Sequence, residues 1–166
     1  MLVKAQWQQS YFSFFKHQEV VCELVTEFAK DLVWDQDTTS LNDSIYVFAN
    51  QNKRLRRLVG KVDLVITDSP IILSTLYGDM AGDSAFNKLV QSTHKRYNNL
   101  NLLLERTKQY VKIGRTQTKE EAVAMDGKIE TTLIKNKITY STIKNVHGAR
   151  FEITSHINQS TTVTGE

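Results

Sequence analysis

Apolar positions along this chain follow two rhythms. At Val20–Thr26 (VVCELVT), Val62–Thr67 (VDLVIT), Leu100–Leu104 (LNLLL) and Ile138–Ile143 (ITYSTI) they run short and dense, and each run predicts a strand. The Val62 run is nearly continuous in apolar residues, as suits a strand covered on both faces. Between the strands the spacing lengthens. Leu41, Ile45, Phe48, Ala49, Asn52, Leu55 and Val59 predict an amphipathic helix over 41–59. Ser40 with Asp43 resembles a capping box at its start, and Gly60 suits the C′ position at its end. Phe86, Leu89, Val90 and Tyr97 predict a second helix after a Gly78–Ser84 loop. Lys119–Lys135 predicts a third, with Ala122, Met125, Ile129 and Leu133 on one face. Residues 107–116 read as a basic loop, and Thr161–Glu166 as a frayed tail.

Strands alternating with helices predict a mostly parallel sheet with covering helices. A chain of 166 residues suits one domain with a real core, here 1–160. A hydrophobic fraction of 40% with 23% charged residues is that of a soluble globular protein. The apolar runs are too short for a membrane span, and the N-terminus has no signal-peptide core, so a cytoplasmic protein with no membrane partner is expected. The single cysteine, Cys22, excludes an internal disulfide and sits in an apolar strand, where a core role is expected. His17, His94, His147 and His156 show no metal-ligand spacing. A net charge of +3 is too small to argue for nucleic acid. Lys53, Arg54, Arg56 and Arg57 form a basic cluster whose ordinary reading is a solvated helix face; contact with nucleic acid is the sharper alternative. Trp7, Tyr11, Phe12, Phe14 and Phe15 make an aromatic patch. Exposed, it would promote self-association; helical, it would pack on the sheet.

The stretch Val62–Pro70 (VDLVITDSP) ends in an acid, Asp68, at the exit of its strand. Together with ELVTEFAKD (23–31), NLNLLLER (99–106) and YVKIGRTQTKEEA (110–122), it resembles a small kinase-like AAA/P-loop ATPase. Such ATPases are common in phage genomes and related to nicotinamide riboside kinase domains. The resemblance covers roughly residues 19–150 and rests on the order and spacing of these pieces. It implies an α/β fold, a P-loop NTPase-type three-layer sandwich with a parallel sheet. It also implies ATP and Mg²⁺ as cofactors. Asp68 would hold Mg²⁺ through water and serve catalysis. Arg115, in a lid carrying Tyr-x-x-x-Gly-Arg-x-Gln, and Arg106 would contact phosphoryl oxygens. Glu27, just past the first predicted strand, would contact the acceptor substrate; Asp31, Asp35 and Lys108 are lesser candidates. For Asp68 the plain alternative is a cap on the turn Ser69-Pro70. The expected partner is a nucleotide or small-molecule substrate.

The family also has a Gly-rich phosphate loop, G-x-x-x-x-G-K-S/T, after a first, central strand. Here the first glycine is Gly60, and residues 1–18 depart from the pattern. The strand and the loop are therefore absent from this reading of the fold. Loss of a central strand leaves its neighbours facing a gap or pairing with each other, with backbone groups to re-satisfy. The genetic code offers an explanation. Joining the third base of each codon to the first two of the next lets Met1–Phe12 spell A-G-K-S-T-V-A-A-K-L-F, the end of a phosphate loop and its helix. The expected function is a degenerate ATPase or small-molecule kinase-like protein with little or no activity. The alternative is a non-catalytic interaction protein that keeps the fold as a scaffold.

Overall fold

A computed structural model describes residues 12–16, 20–105, 119–144 and 146–162. The chain divides into two compact units, residues 2–97 and residues 98–166.

In the first unit, strand β1 (Cys22–Val25) pairs in parallel with strand β2 (Leu64–Thr67). The register runs from Cys22 opposite Leu64 to Val25 opposite Thr67. The amides of Asp63 and Leu64 donate to the Val21 carbonyl, and the Asp63 carboxylate accepts from the Val21 N–H at 2.9 Å. On β1, Cys22 and Val25 are buried. Burial pushes the Cys22 thiol up from 9.0 to about 11, with the Glu23 charge adding and Lys16 opposing, so the thiol stays neutral and serves the core. The four residues of β2 are only half-buried, less covered than its apolar run suggests. Among the described residues β2 has a strand on one side alone.

Between the strands lie α1 (Phe28–Trp34), α2 (Thr38–Asn42) and α3 (Ser44–Arg56). The helix expected over 41–59 is thus broken at Asp43 and ends at Arg56. Two aspartates explain the break. Asp37 accepts from the Ser40 N–H at 3.0 Å, and Asp43 accepts from the Tyr46 N–H at 2.8 Å, so each starts its own helix. Ser40 is therefore inside the first capped turn and is not itself a cap. The buried face of α3 is Ser44, Phe48 and Gln51, while Ile45 and Val59 are exposed, a rotation from the expected stripe. Gly60 has φ +72° but lies in a turn beyond the helix end.

Ser44 ties this corner to the turn after β2. Its N–H donates to the Asp79 carboxylate at 3.0 Å, its hydroxyl donates to the Tyr77 carbonyl at 3.1 Å, and the same oxygen accepts from the Met80 N–H at 3.0 Å. The Ser44 amide first, and its hydroxyl second, hold the Asp79 carboxyl below its ordinary 3.8. A depressed folded-state value means stability that is present above the unfolded value and lost as pH falls through the folded one. We therefore expect the urea midpoint to drop on acidification below about pH 4, and Asp79→Asn to remove part of that drop.

A 3₁₀ helix (Ile71–Leu76) follows β2, with Ile71, Ile72 and Thr75 buried. Helix α4 (Ser84–His94) is capped by Asp83, which accepts from the Phe86 N–H at 2.7 Å. Its buried face is Phe86, Val90, Thr93 and His94. Phe86 meets Phe48 edge to face at 5.7 Å. Residues 12–16 are helical, with Phe15 buried at 1% exposure and Phe12 and Phe14 half-buried; Trp7 and Tyr11 lie outside the described residues.

In the second unit, β3 (Leu102–Leu104) pairs in parallel with β4 (Ser141–Ile143). Helix α5 (Lys119–Lys135) connects them, with Leu133 buried. A further helix, α6 (Val146–Thr162), was not expected, and buries Ala149 and Ile153. The architecture is mixed α/β with parallel strand pairs. Among the described residues β2 and β3 belong to separate two-stranded sheets and do not pair with each other.

Candidate functional site

Parallel strands carry ligands beyond their carboxyl ends. At that edge of the first unit the chain places Thr26 and Glu27 after β1 and Asp68 after β2. Val25 is the register partner of Thr67, so Thr26 and Asp68 each follow the last paired couple, about one strand spacing (~4.8 Å) apart in the ladder direction.

Asp68 does not cap the turn that follows it. The Ser69 N–H donates to the Thr67 hydroxyl oxygen at 3.1 Å, and the 3₁₀ helix that begins at Ile71, with Pro70 in the N-cap position, has no side-chain cap. The Asp68 Oδ1 is buried and, among the described residues, has no hydrogen-bond partner. A buried acceptor in that state costs about 1–3 kcal/mol, more if charged, unless something fills its place. A hard cation or its bound water is one partner that such a carboxylate oxygen can take.

Glu27 is the N-cap residue of α1 in position only; its side chain does not cap the helix. Gln51 substitutes from α3, its Oε1 accepting the Phe28 N–H at 2.8 Å. Asp35 ends α1 at an exposed position. Asp31 and Arg54 form the ion pair of this edge, Arg54 Nη2 donating to Asp31 Oδ2. Arg54 Nη1 also donates to the Thr26 carbonyl at 3.3 Å and the Thr26 hydroxyl at 3.2 Å, and its guanidinium lies 5.0 Å from the Phe28 ring centre. A groove of about 320 Å³ opens here, lined by Leu24, Val25, Thr26, Asp31, Arg54 and Arg57.

The structure thus brings Asp68, Glu27, Asp31 and the Arg54 end of the basic cluster to one strand edge. Arg106, Lys108 and Arg115 lie outside the described residues. Among the described residues no group of three histidine, cysteine, aspartate or glutamate side chains converges as a metal site would require. The Arg54–Asp31 pair escapes sequence reading, because its partners are 23 residues apart and the arginine sits in a run that reads as solvated.

A family profile described as AAA domain matches residues 10–150, which contain all four strands. The chain belongs to the AAA domain family. No curated protein and no solved structure matched it. AAA domains are nucleotide-binding, ATPase- or kinase-like domains that generally take ATP with Mg²⁺. Asp68 fits the metal half of that chemistry, since its buried Oδ1 is an uncommitted oxygen donor. Among the described residues no Gly-rich turn after a strand presents backbone amides to phosphates. Among the described residues no helix is long and apolar enough to cross a membrane.

Proposed function

We propose that this AAA domain is a degenerate P-loop ATPase or small-molecule kinase-like protein. It retains the metal carboxylate of its family and binds nucleotide weakly. The reading is carried by the buried, unpartnered Oδ1 of Asp68 at the carboxyl end of β2. Mg²⁺, when bound, would neutralise phosphate charge and orient the transferring group. Asp68 would hold the ion through water, Arg115 and Arg106 would face phosphoryl oxygens, and Glu27 would face the acceptor. The proposed fold is a P-loop NTPase-type three-layer sandwich without its first strand, and the parallel pairing within β1–β2 and within β3–β4 supports its α/β class. The relation to nicotinamide riboside kinases, and a frame difference over Met1–Phe12 that hides A-G-K-S-T, belong to the same proposal.

Calorimetric titration with Mg-ATP tests it. The expected dissociation constant is about a millimolar or weaker, near −4 kcal/mol. Micromolar affinity would overturn the impairment. An unchanged Mg²⁺ response in Asp68→Asn, an isosteric change that keeps the strand end, would remove Asp68 from the metal site.

A further inference from the structure

We infer that the groove beside β1 holds an oxyanion, a phosphate or carboxylate group, carried by a small acceptor molecule. The inference rests on the kinase-like reading above, because it names the class of molecule that would receive the phosphoryl group.

Three observations carry it. The first is the state of Arg54. An arginine in a solvated charge run has its guanidinium in water, but this one is pinned by Asp31, Thr26 and the Phe28 ring. Pinning spends little further side-chain entropy when a ligand arrives, and leaves donors on a five-donor group for it. The second is Arg57, three residues further along the chain in the turn that ends α3. It lines the same groove, is exposed, and among the described residues has no carboxylate within ion-pair reach. Counting Arg54, Arg57 and Asp31, the groove wall carries net charge +1. The third is the remaining wall. Thr26 accepts from Arg54, which leaves its hydroxyl hydrogen for a ligand oxygen, and the exposed lining of the groove is mainly polar. The groove is open to solvent and offers about 320 Å³, room for an oxyanion group and a small part of the molecule that carries it. Arginine is suited to this role because its planar fork matches both oxyanions. The position also suits it, since Thr26 and Asp68 follow register partners on neighbouring strands.

The test titrates inorganic phosphate, and separately acetate, into the full chain at fixed ionic strength, following backbone amide shifts. Saturating shifts confined to Thr26, Arg54 and Arg57 are expected, and the tighter of the two probes tells which oxyanion the groove prefers. Arg57→Ala should weaken binding at least about tenfold, roughly the loss of one charge-assisted pair. Lys53→Ala removes the same charge from an exposed position four residues earlier and should leave binding within about twofold. Equal losses in the two variants would mean a diffuse cationic face and would overturn the inference. So would preferential shifts along the whole 53–57 run on adding a single-stranded oligonucleotide, which would assign the cluster to nucleic acid. A parallel Mg²⁺ titration read at the Asp68 amide separates this inference from the reading beneath it. A magnesium response without a phosphate response sinks the groove alone. A phosphate response at Arg57 without a magnesium response upholds the oxyanion site and sinks the metal site.

Discussion

Gly78→Ala is expected to lower the melting temperature by about 10 °C or more, from a loss of roughly 3 kcal/mol. Gly78 has φ +80°, where a side chain costs about 1–2 kcal/mol on backbone grounds. Space adds a second cost. A Cβ there would stand 2.4 Å from the Ser44 hydroxyl and 2.9 Å from the Asn42 carbonyl. The carbonyl is backbone, and it also accepts the Asp79 N–H at 2.8 Å, so it cannot swing aside freely. Moving Ser44 disturbs the hydrogen bonds that join α3 to the 77–80 turn. Gly82→Ala is the control. Gly82 has φ +86° but nothing within 4 Å of an added Cβ, so only the backbone cost remains. Thermal melting by circular dichroism compares the two, and equal melting temperatures would contradict the steric argument.

The second large effect concerns repair. Let residues 1–11 be replaced by a strand, a phosphate loop ending A-G-K-S-T, and V-A-A-K-L. Phe15 is kept because it is buried in the core. The restored loop would supply amides and a lysine for the phosphates, and a hydroxyl for Mg²⁺. ATP binding should then tighten by at least about 100-fold, or roughly 2.7 kcal/mol. Adding Asp68→Ala should cancel most of the gain. Arg115→Ala should reduce turnover more than binding, as an arginine acting mainly on the transition state would. A repaired chain that folds yet ignores ATP, or one indifferent to Asp68→Ala, would end the frame argument.

The strands were legible because each is a dense apolar run between turn residues, and α5 because its stripe repeats over several turns. The 41–59 region was misread for a local reason. Asp37 and Asp43 both cap, and the apolar stripe runs on across the break between them. The 3₁₀ helix at Ile71–Leu76 hid because its apolar residues are adjacent and carry no helical period. Helix α6 hid for another reason: its described buried positions are only Ala149 and Ile153, while the larger apolar residue between them, Phe151, is exposed. At the site, Asp68 could be read from the end of its strand. The groove could not, since Thr26, Asp31 and Arg54 meet only after the chain has turned through α1, α2 and α3.

The hydrogen bonds at Val21 and Asp63 have a use beyond starting a ladder. In a strand, side chains alternate faces, so a slip of one residue would send Asp68 to the opposite side of the sheet. β1 and β2 are each only four residues long and offer few apolar contacts to resist such a slip. Asp63 acts as an index mark: its amide and its carboxylate both close on Val21, and only one alignment satisfies them together. The phase of Asp68 is thus set five residues upstream, by an aspartate at the other end of the strand.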